Sequence, residues 1–422
     1  MATLAVRSLI VRVSALRVSV LSASLTCLAF SGPFVSGRAA RPNSTDSNLT
    51  AHEWGTFTSI AGRDGHAMRW FPLNGSDLPR FVEHFRTADL KVGLSGTIRM
   101  ETPVLYFYSP SETTVSVKVR FSQGVISEWY PHASHIEPNP KAALDGEALF
   151  NRRAGREQDG SIAWDSVTIA PGLAASLPRG DPRDEKDGGN QYYAARETSS
   201  APLLVRTGSG IQQEKFLFYR GVSIFPVPIA AQAAPDGKIS VKNLGTDEIP
   251  SVILFERRGD KVGYRLGGAV QKQAALDPPE LNSTVESLGR DLEGMLITQG
   301  LGPDEASAMV ETWRQSWFEE GTRLLYIVPP HFVDTVLPLS IKPQPGRIVR
   351  VFVGRLELIT PATGRELEKI ITTHDIDGIL RYGRFLEPIM EELKADNPAR
   401  AAELDEDLSK TYSSAPPKSP AR

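Results

Sequence analysis

Cysteine is almost missing from this chain of 422 residues: there is one, Cys27. It lies in a stretch with the composition of an export leader, so a processed chain would carry no thiol. That excludes disulfides, thiolate metal ligands and a cysteine nucleophile together. Histidine is scarce, with seven residues, which leaves imidazole chemistry few places to occur. Long hydrophobic runs are lacking as well. The apolar run 18–30 is too short for a membrane span and later ones are strand-sized, so no span is expected. Dense Lys/Arg runs are absent, and the formal charge of −3 becomes more negative once Arg7, Arg12 and Arg17 leave with the leader. Nucleic-acid binding needs a concentrated basic surface and is set aside. There is no Gly-x-Ser-x-Gly elbow, no phosphate-cradling Gly-x-x-x-x-Gly-Lys-Ser/Thr and no dinucleotide glycine pattern after a strand. The glycine-bracketed serines Ser95 and Ser209 read as turns, and no repeat of solenoid period is found.

What is present begins with an arginine-led, acid-free leader, the layout of a signal peptide. Residues 1–37 are assigned to it, with cleavage between Ser31 and Arg38, and 38–50 to a polar spacer. A bacterial exported protein, periplasmic or extracellular, is expected. The Arg and Ser content leaves a mitochondrial transit peptide as the rival. Residues 51–270 read as short strands separated by Gly and Pro, the pattern of one or two β-sandwiches. Val115, Val117, Val119 and Phe121 alternate with polar residues, as in a half-buried antiparallel strand. In 271–410 the period turns helical at Leu281, Leu288, Leu292 and Leu296, and again at Ala306, Met309, Val310, Trp313 and Trp317, before strands and further helices follow. The Trp-bearing stripe is expected to cover a sheet. Residues 411–422 are expected to be a disordered tail. The fold class is α+β, with sandwich-like antiparallel sheets in the N-terminal two thirds and a mixed helical and strand C-terminal third.

The first folded stretch, His52-Glu53-Trp54-Gly55-Thr56-Phe57-Thr58, resembles a phrase found in exported bacterial proteins to which no activity is assigned. The resemblance implies a bacterial, exported origin and no chemistry. Period-two geometry puts His52 and Trp54 on one face of a strand and Glu53 and Gly55 on the other. A carboxylate beside a glycine could floor a pocket, or it could be a buried Glu paired with an Arg for structural reasons. Arg99 and Glu101, and Tyr192, Arg196 and Glu197, mix charge with aromatic residues as glycan-binding clefts do, and paired carboxylates are the tools of glycosidic acid–base chemistry. The loop holding His132 and His135 offers imidazoles near Glu128 and Glu137, a candidate divalent-metal site whose spacing matches no strong signature.

Two readings therefore stay open. One is an exported β-rich binding or structural protein of the bacterial envelope, with a glycan or peptide as ligand. The other is an extracytoplasmic hydrolase, metal-assisted or not, with His52, Glu53 and Glu101 catalytic, Trp54, Arg99, Tyr192, Arg196 and Glu197 on substrate, and His132 and His135 on metal. Convergence of these residues favours the enzyme, and dispersal favours the module.

Overall fold

The computed structural model describes residues 48–71, 78–84, 95–138, 159–174, 176–185 and 189–414. The leader, Cys27, most of the spacer and residues 415–422 lie outside them. The strands are β1 Thr50–Ala61, β2 Glu83–His84, β3 Ile98–Tyr108, β4 Thr113–Phe121, β5 Gly124–Tyr130, β6 His135–Glu137, β7 Gly160–Ile169, β8 Leu203–Thr207, β9 Gly210–Glu214, β10 Leu217–Ser223, β11 Ile229–Ala233, β12 Ile239–Asn243, β13 Ile249–Arg258, β14 Lys261–Val270, β15 Gln273–Leu276, β16 Gly321–Ile327, β17 Leu339–Lys342 and β18 Arg347–Leu358. The helices are α1 Pro182–Glu185, α2 Val285–Thr298, α3 Pro303–Trp317, α4 Pro330–Val336, α5 Pro361–Thr372, α6 Ile376–Tyr382, α7 Leu386–Asp396 and α8 Ala401–Ser414.

Strand β1 is the middle strand of a nine-stranded sheet of order β14-β13-β16-β18-β1-β3-β10-β5-β2. It runs antiparallel to β3 and parallel to β18, which joins the first strand of the chain to the last. One face of this sheet packs on a six-stranded sheet containing β4 and β7 and on the three-stranded sheet β11-β12-β15, through a core that includes Phe57, Phe107, Val117, Trp164, Ile229 and Phe352. Helices cover the other face. With both faces covered, β1 is buried from Glu53 to Ala61, which is why its sequence runs apolar and small rather than alternating cleanly.

The fold is α+β, with several antiparallel sheets in the N-terminal two thirds and most helices in the C-terminal third. The expected boundary at residue 270 is corrected: β13 and β14 precede it, β16 and β18 follow it, and all four belong to one sheet. The two stretches share a core and are not separate bodies. The expected tail is also shortened from its start, because α8 continues to Ser414. Among the described residues no helix is long and apolar enough to cross a membrane.

The helix-covered face carries two caps. Helices α2 and α3 lie over Trp54, Val104, Ile253, Phe255, Leu325 and Val351 through Leu288, Leu292, Met309, Trp313 and Trp317. Thr284 starts α2 with a reciprocal cap to Ser287, which satisfies donors the helix cannot use itself. The second cap is α5 to α8, whose apolar cluster is built mainly from its own Leu367, Ile371, Ile379, Ile389 and Leu404.

Candidate functional site

His52 and Glu53 point to opposite faces of the sheet, and each is taken up by a partner remote in sequence. His52 Nδ1 lies 2.8 Å from Glu305 Oε2. Glu305, in the first turn of α3, also accepts from the Tyr108 hydroxyl at 2.8 Å and from the Gly302 backbone N–H at 2.7 Å. Burial, then the Glu305 charge, push the Tyr108 phenol far above its ordinary value. A carboxylate in a helix first turn is favoured by the positive helix end.

On the other face, Glu53 is fully buried. It accepts from Tyr219 at 2.5 Å and from Arg350 Nε at 2.7 Å, and Arg350 turns its Nη1 to Asp334 at 2.9 Å. The parallel register places Glu53 beside Arg350 directly. Burial would lower the guanidinium pKa, but the Glu53 carboxylate reverses it and holds Arg350 above its ordinary value. Gly55 does not leave a pocket floor. A Cβ there would sit 2.8 Å from the Phe352 ring and 3.0 Å from Pro103, which occupy the space.

Glu101 stands on the face of His52, farther along the sheet. Its Oε1 accepts from Thr58 at 2.5 Å and meets Arg384 Nη2 at 2.9 Å, and Arg99 Nε is 3.7 Å from Oε2. Burial pushes this carboxyl up, but Arg384, Arg99 and Arg220 together pull it down to about 2. The belt continues across the sheet. Arg355 bonds Glu319 at 2.6 Å and Glu357 at 3.2 Å, and Arg323 bonds Glu357 at 2.9 Å and the Trp317 carbonyl at 2.8 Å. These arginines meet the last carbonyls of α3, where cations suit the helix end. Each of these carboxylates is matched by a guanidinium, as buried charges must be. Next to Glu101, Thr102 takes a φ of +43° at the bulge in β3, a conformation that a β-branched residue seldom adopts.

Five of the expected site residues, His52, Trp54, Arg99, Glu101 and Tyr192, share this helix-covered side. Tyr192 accepts from Arg220 at 3.0 Å and meets Trp313 edge-on, and Trp54 is buried against Tyr106. The others disperse. Arg196 makes a buried two-point pair with Glu214 and stacks 4.6 Å over Phe81, while Glu197 pairs at the surface with Arg179. His132 and His135 go to different carboxylates, Glu83 and Asp165, each at 2.9 Å. The expected metal pair is therefore not assembled: both histidines are exposed on separate ion pairs, and the described residues contain no group of three or more His, Cys, Asp and Glu side chains placed to hold an ion. Glu305, Arg350 and Arg384 carry no site signal in the sequence, and Tyr219 shows only as an aromatic among the charges of 215–220. Their partners His52, Glu53 and Glu101 lie 166 to 297 residues away, and the repeated Arg of Arg347-Ile348-Val349-Arg350 is the one local hint for Arg350.

A cleft of about 540 Å³ opens at one end of the sheet, within the size range of ligand pockets. One wall is the ends of β1 and β18 with β11, and the other is α5 and α7. Arg63 links the walls, with Nε 2.7 Å from Glu392 and Nη2 2.6 Å from Asp396. Gln232, Thr360, Arg365 and Glu368 add polar groups, and no aromatic ring is among its described lining residues. Strand β11 is an edge strand. Its Ala231 N–H is used by the Gly65 carbonyl, and the two-residue period sends the N–H and C=O of Ala233 to the same outer edge.

No family model and no curated protein matches this chain. Among solved structures, the chain is similar to the yeast delta-COP-I mu-homology domain complexed with the Dsl1 WxWxV peptide at 8% identity and a TM-score of 0.25, covering 74% of this chain and 96% of that one. The yeast delta-COP-I mu-homology domain alone is similar at 8% identity and a TM-score of 0.22, covering 74% and 95%.

Proposed function

We propose that this chain is an exported binding protein of the bacterial envelope, whose ligand is an extended peptide seated in the cleft between β11 and helices α5 and α7. One observation carries the reading: the carboxylates expected to do acid–base work are fully buried, committed to arginines, and divided between two faces of a sheet. A hydrolytic pair needs two carboxyl groups flanking one bond. The cleft, in contrast, is open and mixes polar with aliphatic groups. A peptide suits it better than a glycan because no ring in its described lining could stack on a sugar, whereas the outer edge of β11 at Ala233 turns main-chain groups of the kind that bind added strands toward the cleft. Glu392 and Asp396 already hold one guanidinium, and basic peptide side chains would find the same partners.

The test is a peptide-library binding screen on the processed chain, repeated with Ala233→Pro, which removes one edge N–H, and with Asp396→Ala. The expected result is a basic, extended peptide whose binding both variants weaken. A measured hydrolysis that Glu53→Gln abolishes in a folded protein would overturn the binding reading in favour of the hydrolase. N-terminal sequencing of the protein recovered from the periplasm or medium tests export. A start between residues 32 and 38 is expected, and an intact Met1 on a cytoplasmic protein would refute it.

A further inference from the structure

We infer that helices α5 to α8 undock from the sheet as one body while α2 and α3 stay in place, and that this movement opens the cleft. The part concerning the cleft rests on its reading as the ligand site; the undocking itself does not. Three observations lead there. The first is what the unit rests on. Its apolar cluster takes Ile60 and Trp70 from the rest of the molecule, with Met68 and Ile359 partly buried at the edge, and the remaining members are its own. A unit whose apolar side chains pack mostly on one another keeps that burial when it moves away.

The second is what holds it down. Beside one aromatic stack, the ties among the described residues are polar. Arg384 reaches Glu101 at 2.9 Å and Ser316 Oγ at 3.4 Å, Arg258 reaches Thr363 Oγ1 at 3.1 Å, and Arg63 reaches Glu392 and Asp396. The ring of Phe385 is the centre of the contact, stacked on Trp70 at 5.6 Å with the guanidinium of Arg355 4.6 Å from it. Ionic contacts of this kind are directional, so a small displacement breaks them, and their groups regain water once exposed. The third is the tether. The unit follows β18 after Leu358 through two residues, Ile359 and Thr360, before α5 begins at Pro361. Those residues line the cleft, together with Gly364, Leu393 and Asp396 of the unit, so a rotation about Ile359-Thr360 would widen it.

Hydrogen exchange followed by mass spectrometry on the full chain, without ligand, tests the inference. Once undocked, these short helices are supported only by one another and fray, so peptides of α5 to α8 should exchange about tenfold or more faster than those of α2, α3 and β1, and together as one group. Arg384→Met should raise exchange across α5 to α8 and leave α2 and α3 unchanged. If that variant does not fold, the wild-type pattern and the milder Arg63→Ala decide. Equal protection of the two caps, or a variant effect spread over both, would overturn the undocking. If the groups separate as expected but no peptide protects the cleft, only the ligand reading falls.

Discussion

Two caps sit on one face of one sheet, and they are attached by different physics. Helices α2 and α3 meet it through Leu288, Leu292, Met309, Trp313 and Trp317 against Val104, Ile253, Phe255 and Leu325. Helices α5 to α8 meet it through Ile60, Trp70, Phe385 and a set of arginine–carboxylate pairs. Apolar burial is non-directional and grows with area, so the first cap is continuous with the sheet core and should be lost only with it. Ion pairs demand geometry and contribute little net stability once desolvation is counted. The second cap can therefore be separated from the first. The arginine belt from Arg99 to Arg323 marks the seam between them.

The largest effect is expected on the apolar side. Trp313→Ala should lower stability by about 3 to 5 kcal/mol, read from urea unfolding, because Trp313 is stacked on Trp317 and meets Tyr192 edge-on. A transition left in place would mean that the first cap is not docked by this stripe.

Glu53 supplies a control from the opposite face. Glu53→Gln should destabilise the whole molecule by about 3 kcal/mol, as Arg350 is left buried with Asp334 the one carboxylate beside it among the described residues. Both caps should open more readily by the same factor. A stable Glu53→Gln protein would show that the Arg350 pair does not support the sheet.

Acid should act on the seam. Burial raises the Glu101 pKa, but Arg384, Arg99 and Arg220 bring it to about 2, below the ordinary 4.5. A lowered carboxyl contributes stability above its unfolded pKa and loses it as pH falls from about 4.5 toward 2. A shift of that size corresponds to at most about 3 kcal/mol. Glu101→Gln should flatten the stability profile over this window. A profile that keeps its full slope would remove Glu101 from the seam.

The smallest effect belongs to Arg63. Its guanidinium is half exposed, and the attraction of such pairs is largely screened by solvent. Arg63→Ala should leave global unfolding almost unchanged while loosening α7. A larger loss of global stability would mean that the second cap is tied to the core more firmly than its contacts indicate.

How much of this was legible depends on distance along the chain. The alternation of Val115, Val117, Val119 and Phe121 is local and corresponds to β4, whose members are buried at those positions. The Trp313 and Trp317 stripe is local too, and it covers the sheet. The opposite orientations of His52 and Glu53 follow from the strand period. What those side chains meet does not, because Arg350 is brought to Glu53 by the parallel pairing of β1 with β18, 297 residues apart, and Glu305 to His52 by the packing of α3 on the sheet, 253 residues apart. No local pattern encodes such a register. Helix α6 carries little local helical signal, because it is short and contains Gly378, packed tightly against Ile370 and the Asp375 cap.

The scarcity of cysteine allows the most direct measurement. In a Cys27→Ser background, Leu292→Cys places a thiol under the first cap and Ile60→Cys places one on the sheet under the second, both at fully buried positions. Thiol labelling under native conditions then reports the opening free energy of each cap. Polar docking of α5 to α8 predicts labelling at Ile60→Cys about tenfold or more faster than at Leu292→Cys, with Glu101→Gln accelerating the first and not the second. Equal rates at the two positions, or equal acceleration by Glu101→Gln, would contradict the claim that the two caps are held by different forces.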